Sequence, residues 1–218
     1  MGSNHLAKEV VFVLLIFSIL GAISLALLVQ IHPVSSVDVR ITRGLQNNGN
    51  EGLLSLMQFV SLFGDPPVAI AMIFGTAALF FFFAHPLEAL FVLMTPLANG
   101  IDVFIKALIA RPRPVDSLVT VYQNLTDASF PSGHVVYYVV FFGFLATTMF
   151  VIQKIPRLMR VAVVVFSLAL ITLISVSRVY LGVHWASDVI GGYLTGFVLL
   201  TTLLYFYFKR VELRTAKA

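Results

Sequence analysis

Residues 177–188 read SRVYLGVHWASD and lie between two uncharged runs, VAVVVFSLALITLISV at 161–176 and VIGGYLTGFVLL at 189–200. Each run, with its neighbours, approaches the roughly 17 to 25 apolar residues that cross a bilayer as a helix. An arginine, a histidine and an aspartate therefore stand at the junction of two membrane spans. His184 and Asp188 are four residues apart, so on a helix both project from one face and the carboxylate is able to hold one ring nitrogen. That fixes the tautomer and leaves the other nitrogen free to attack or to accept a proton. Arg178 is too far around one helix to share this face. Gly182 lets the chain turn, so that the arginine closes one helix and the histidine opens the next.

The rest of the chain has the same character. Of its 218 residues 59% are hydrophobic and 11% charged, roughly half the charged fraction of a soluble domain. Runs free of Asp, Glu, Lys and Arg occur at Val10–Ile31, Pro66–Ala84, Val135–Gln153, Val161–Ser177 and Val189–Phe208. A sixth run, Pro86–Ala110, is interrupted by Glu88 near one end and by Asp102 and Lys106 near the other. The expected fold is all-α, a six-transmembrane-helix bundle forming one integral-membrane domain over residues 1–218. The first run is longer than the apolar core of a signal peptide and is read as a retained helix.

Without cysteine there is no disulfide, thiolate metal site or cysteine nucleophile. The net charge of +4 has no soluble basic face to act on, so nucleic acid is not an expected partner. With cytoplasmic termini, Lys8, Lys154, Arg157, Arg160, Lys209, Arg210, Arg214 and Lys217 all face inward, as the positive-inside rule requires. Lys106, Arg111, Arg113 and Arg178 then fall on the outer side and need a separate reason to be there.

Between the first two spans, Val37, Ile41 and Leu45 recur at helical spacing among polar residues, which fits a short interfacial helix or a solvated loop. The apolar stretch LLSLMQFVSLFGDPP at 53–67 leads through Gly64, Asp65 and two prolines into the second span. Asp65 either faces the outer end of the second span or starts a helix. Pro96, Asn99 and Gly100 interrupt the third span and predict a kink. Residues 111–130 form a polar loop of a length that is uncommon unless functional. Gly192 and Gly196 predict close helix packing.

Two further clusters carry chemistry. In FPSGHVVYYVV at 130–140, Pro131 suits a first helical turn, and Ser132, Gly133 and His134 present a hydroxyl and free N–H groups at its amino end, where anions bind. In KALIARPRP at 106–114, Lys106, Arg111 and Arg113 supply cations and the prolines stiffen the segment. The topology brings all three clusters to one membrane face. His134, His184 and Asp188 are chemically able to bind a divalent metal, but the surrounding cations would repel it, so neither metal nor cofactor is expected. An anion, and above all a transferring phosphoryl group, is what such donors stabilise.

Together these patterns resemble the type-2 phosphatidic acid phosphatase family, whose signature reads K-x-x-x-x-x-x-R-P, then P-S-G-H, then S-R-x-x-x-x-x-H-x-x-x-D. Here these are Lys106–Pro114, Pro131–His134 and Ser177–Asp188, in the family's order. The resemblance implies that His184 is the nucleophile, forming a phosphohistidine, and that Asp188 orients it. It implies that His134 protonates the leaving oxygen and later activates water. Lys106, Arg113, Ser132, Gly133 and Arg178 would hold the phosphate oxygens, while Arg111 falls at a variable position and is not assigned as a ligand. The expected protein is a metal-independent lipid phosphate phosphatase of a bacterial plasma membrane, its site facing the periplasm or exterior. Its expected substrate is phosphatidic acid, phosphatidylglycerol phosphate or undecaprenyl diphosphate. The competing readings are a lipid-linked phosphotransferase, a headgroup-binding transporter and a vanadate-dependent peroxidase, and the oligomeric state is left open.

Overall fold

The two prolines after Asp65 determine how the second span is built. The structure, a computed structural model, describes residues 2–215 and the side chains of 9–214, so Lys217 and the Lys8 side chain lie outside the described residues. Among the described residues all regular structure is helical: α1 (Gly2–Ile31), α2 (Ser36–Gln46), α3 (Glu51–Leu62), α4 (Pro66–Phe82), α5 (Pro86–Met94), α6 (Leu97–Ile109), α7 (Gly133–Val151), α8 (Arg157–Tyr180) and α9 (Ala186–Thr215). Five spans are long and apolar enough by themselves to cross a membrane: Glu9–Ile31, Pro86–Ile109, Gly133–Val151, Arg157–Tyr180 and Ala186–Arg214. The sixth exists only if α3 and α4, bent by 52° at their junction, count as one broken span.

That corrects the expectation of a second span confined to Pro66–Ala84. The α4 helix alone has 17 residues, and the apolar stretch before it belongs to the same bent unit. Proline lacks an N–H and disfavours helical backbone in the residue before it. Asp65 accordingly has extended dihedrals, φ −68° and ψ 137°, and α4 restarts with proline in its first turn. The third span is interrupted at Thr95–Pro96 between α5 and α6, as the sequence predicts, through the missing proline N–H, since Thr95 keeps helical dihedrals of φ −58° and ψ −32°. The region of Val37, Ile41 and Leu45 is the helix α2, started by the Ser35 hydroxyl accepting from Val37 N at 3.2 Å.

At the centre stands α7, with an uncharged sequence buried on nearly every side, as expected of a helix apolar all round. It packs against α8 and α9 most extensively, and against α5 and α6. Its approach to α9 is as close as the glycine pair predicts. A Cβ on Gly192 would lie 2.8 Å from Val135 Cβ, and one on Gly196 would lie 2.8 Å from Val139 Cβ. The outlying helix α1 leans on α9, with Leu194 at 3.4 Å from the Cβ position of Gly21. Farther from the motifs, buried Glu88 accepts from Tyr207 Oη at 2.7 Å, which offsets the cost of burying its carboxylate.

Between α8 and α9 the chain turns at Gly182, whose φ is +65°. His184 therefore precedes α9 by two residues and is not on a helix, unlike the simplest reading of its spacing to Asp188. A Cβ at Gly182 would also run into the Thr120 carbonyl oxygen. The long loop 110–132 is pinned from above by α2: Arg43 Nε donates to Leu118 O at 2.7 Å, and Gln46 Nε2 donates to Thr120 O and Tyr180 O, both at 2.8 Å.

Gly182→Ala should lower the apparent Tm in detergent, because positive φ and the Thr120 contact together cost about 1–3 kcal/mol. Gly75→Ala, where nothing lies within 4 Å of the added carbon, should leave Tm unchanged or raise it. Equal melting of the two variants would show that the turn relaxes without strain.

Candidate active site

The three sequence clusters meet at one end of the bundle, where α6 ends, α8 ends, and α7 and α9 begin. A backbone bond joins the second and third clusters, Ser132 N donating to Asp188 O at 3.1 Å, and within the third His184 N donates to Arg178 O at 3.3 Å. His134 and His184 thus lie at the same end of the molecule, both within the field of the same cations.

The imidazole of His184 is almost wholly buried. Its Nδ1 lies 2.8 Å from the backbone oxygen of Ser129. A carbonyl oxygen only accepts, so Nδ1 carries the hydrogen and Nε2 the lone pair. The lone pair faces Arg113, whose Nη1 is 3.3 Å away. Burial first, and then the charges of Arg113, Arg178 and Lys106, hold the imidazole well below its ordinary pKa, so it stays neutral and basic at Nε2.

Asp188 differs from expectation in an informative way. Its Oδ2 is 3.6 Å from His184 Nδ1, too far for a hydrogen bond. Its oxygens are already engaged: Oδ1 accepts from Arg111 Nη1 at 2.5 Å, and Oδ2 accepts from Trp185 N at 2.8 Å and from the Ser129 hydroxyl. The carboxylate fixes Ser129, and the carbonyl of Ser129 takes the ring N–H. Contact from aspartate to histidine runs through one intervening residue.

Arg111 is the residue that the sequence left without a role. It is buried, and its guanidinium reaches Asp188, Asp38 Oδ2 at 2.8 Å, Ser187 Oγ at 2.7 Å and Pro33 O at 2.9 Å. Asp38 in α2 also accepts from Ser187 N at 2.9 Å, within the first turn of α9, where a negative charge is favoured. All of this turns Arg111 away from ligand binding. Neither Asp38 nor Ser129 was singled out in the sequence, because their partners are 149 and 59 residues distant. A polar residue in an apolar chain, such as Asp38 at helical spacing beside Val37 and Ile41, was the only signal available.

The other predicted residues gather around the His184 imidazole. Lys106, in the last turn of α6, lies 3.8 Å from Asp102 Oδ2 and 2.6 Å from Asp127 Oδ2. Arg113 donates to Asp127 Oδ1 at 2.7 Å and to Val183 O at 2.6 Å. Asp127, also missed in the sequence, has its carboxyl held down to about 2: burial alone would raise it, but the hydrogen bond and charge of Lys106 and those of Arg113 outweigh burial. Arg178 is wholly buried and donates from Nη1 to Ser61 Oγ at 2.5 Å, while its Nε and Nη2 have no protein partner. Ser132 sits at the N-cap of α7 with its Oγ buried and unpartnered, and Gly133 is the first residue of that helix. His134 follows, with Nε2 3.3 Å from Asp65 Oδ1. The sequence leaves Asp65 between the outer end of the second span and a helix start, and it is both the N-cap of α4 and a neighbour of His134.

Buried polar groups are nearly always hydrogen-bonded, so two guanidinium nitrogens and a hydroxyl left without partners among the described residues, at the end of the bundle where α7 begins, have the chemistry to receive an anion. A proton balance follows from His184. Unfolded chain takes a proton on this ring near about pH 6.5, whereas the folded site refuses it until well below. Its contribution to stability is therefore complete above the unfolded pKa and is lost as pH falls below it, where the unfolded chain binds more protons. The apparent Tm of His184→Asn should fall less steeply than that of the parent between about pH 6.5 and 5. Parallel curves would mean that the ring protonates in the folded protein too.

Comparison with known proteins bears on the family and the fold. The PAP2 superfamily profile matches residues 87–212, more than half of the chain. Phosphatidylglycerophosphatase B of Bacillus subtilis (strain 168) is 28% identical over 181 residues, covering 80% of this chain and 85% of that protein. The crystal structure of a transmembrane PAP2 type phosphatidylglycerolphosphate phosphatase from Bacillus subtilis superposes with a TM-score of 0.80 at 23% identity, over 89% of this chain and 96% of that one. That of Aquifex aeolicus LpxE gives a TM-score of 0.61 at 20% identity, over 78% of this chain and 96% of the other. At such identities the two structures establish the shared fold alone. With its profile match spanning all three motifs, the chain belongs to the PAP2 superfamily, whose membrane phosphatases hydrolyse lipid phosphates.

Proposed function

We propose that the protein hydrolyses a lipid phosphomonoester without metal, through a phosphohistidine on His184, with phosphatidylglycerol phosphate as the preferred substrate. The observation that carries this reading is that the buried Arg178 guanidinium keeps two nitrogens, and the buried Ser132 hydroxyl its oxygen, without a partner among the described residues. The name of the Bacillus subtilis relative supports the choice of headgroup.

In this reading the lone pair on His184 Nε2 attacks phosphorus, and the bond from phosphorus to the lipid oxygen breaks. His134, entering the step as the imidazolium with its Nε2–H on Asp65, gives its Nδ1 proton to that oxygen. Its Nε2 is taken up by Asp65, which leaves Nδ1 for the leaving group. Water then attacks the phosphohistidine, His134 takes back a proton, the P–N bond breaks and inorganic phosphate departs. Lys106, Arg113 and Arg178, with the Ser132 hydroxyl and the Gly133 N–H, stabilise the charge spread over the equatorial oxygens. Asp188 keeps His184 in its Nδ1–H tautomer by holding Ser129.

The site end faces the exterior in this reading. Lys154, Arg157 and Arg160, and the group Lys209, Arg210 and Arg214, stand at the opposite end of α7, α8 and α9, which is the distribution of a cytoplasmic side. Helix ends near an interface let the hydrocarbon remain in the bilayer while the headgroup reaches the cations.

The test is phosphate release with chelator present from phosphatidylglycerol phosphate, phosphatidic acid and undecaprenyl diphosphate, compared by kcat/KM. His184→Ala should lose on the order of 10³-fold or more in turnover while still binding the lipid, and alkaline quench of the parent should trap radiolabel on histidine. Full turnover by His184→Ala would remove the nucleophile assignment. A higher kcat/KM for either other lipid would change the substrate.

A further inference from the structure

The carboxylate of Asp127 is arranged unlike any other at the site. One oxygen accepts from Lys106 Nζ at 2.6 Å and the other from Arg113 Nη2 at 2.7 Å, while Arg113 Nε takes the carbonyl of the same residue at 2.9 Å. Two oxygens of one planar anion are thus divided between the two cations of the K-x-x-x-x-x-x-R-P motif, as two oxygens of a phosphate group would be. This carboxylate is not sealed in the protein. Its side chain is 54% exposed, against 5% or less for the carboxylates on Arg111. Lys106 and Arg113 are only 13% and 10% exposed, so water reaches the pair from the carboxylate side, and separating it costs less than separating a pair buried on both sides. Asp127 belongs to the loop 110–132, outside the regular helices. It also lines a cleft of about 320 Å³ together with Val103, Lys106, Ala107, Ala110 and Ala128.

We infer that Asp127 is a tethered competitor for the phosphate site, occupying Lys106 and Arg113 until the phosphate group of the substrate displaces it. The inference rests on the assignment of Lys106 and Arg113 as phosphate ligands. An anion that binds only while the carboxylate is away has its affinity reduced by the fraction of time the cations are free. Every phosphate bears the same factor, but inorganic phosphate has no hydrocarbon contact to offset it. Asp127 therefore keeps the free anion off the cations, and the carboxylate returns to them as the product leaves. A brace that merely held the two cations in place would act in the opposite direction, since its removal would loosen them and weaken phosphate binding.

The experiment measures the inhibition constants of orthophosphate and orthovanadate against lipid hydrolysis by the full-length protein, with thermal melts to establish folding. Asp127→Asn keeps the shape of the side chain without its charge, and Asp127→Ala removes it. Both should lower the inhibition constants, by about tenfold if the carboxylate occupies the cations for nine-tenths of the time. Lys106→Ala and Arg113→Ala should raise them. Inhibition constants that are unchanged or raised in folded Asp127→Asn and Asp127→Ala overturn the inference and make Asp127 a brace. Constants unmoved by Lys106→Ala and Arg113→Ala overturn the phosphate assignment beneath it, and the inference with it.

Discussion

A single guanidinium joins the parts of the site that come from different regions of the chain. Arg111 lies in the loop after α6, yet its nitrogens reach Asp38 on α2, Ser187 and Asp188 on α9, and the carbonyl of Pro33. Burying such a charge is expensive unless it is paired and its donors are satisfied. Here two carboxylates and two further acceptors do both. Asp188, held in this way, fixes Ser129 and Trp185, and the carbonyl of Ser129 sets the tautomer of His184. The orientation of the imidazole therefore depends on a residue that does not touch it.

The cations of the site fall into two kinds according to what surrounds them. Arg111 is paired with two carboxylates and has a protein acceptor at each of its three nitrogens. Arg178 is as deeply buried but has one protein partner and two free nitrogens, an arrangement whose desolvation cost is recovered when an anion arrives. Lys106 and Arg113 are intermediate, paired with a carboxylate that water can reach. The same residue type thus serves as a structural clamp at one position and as a receptor at another, and the difference lies in the number of acceptors within reach.

The legible part of the fold came from local chemistry. Apolar runs located the spans, Pro96 located the break between α5 and α6, and Gly192 with Gly196 located the close contact of α7 and α9. The second span differs from its sequence expectation because Pro66 and Pro67 look locally like a helix start. They are the bend within a longer unit, and nothing in the local composition distinguishes a helix that starts at proline from one that restarts there. The recognised site residues all lie in short motifs whose spacing carries meaning. Asp38, Ser129 and Asp127 lie outside those motifs, and their importance comes from partners far away in the chain.

By itself the sequence determined that the chain is an all-helical membrane protein, that its three motifs with their cations and histidines fall at the ends of spans, and that it resembles the family it belongs to. These follow from hydrophobicity, helix period and short-range spacing, which are properties of neighbours in the chain. Tertiary structure alone decided that Ser129 stands between Asp188 and the His184 ring, that Arg111 pairs with Asp188, and that Asp127 stands on the first-motif cations. Each is a contact between residues that sequence separates, and hydrogen bonds of that kind are assigned by which groups folding brings within about 3 Å.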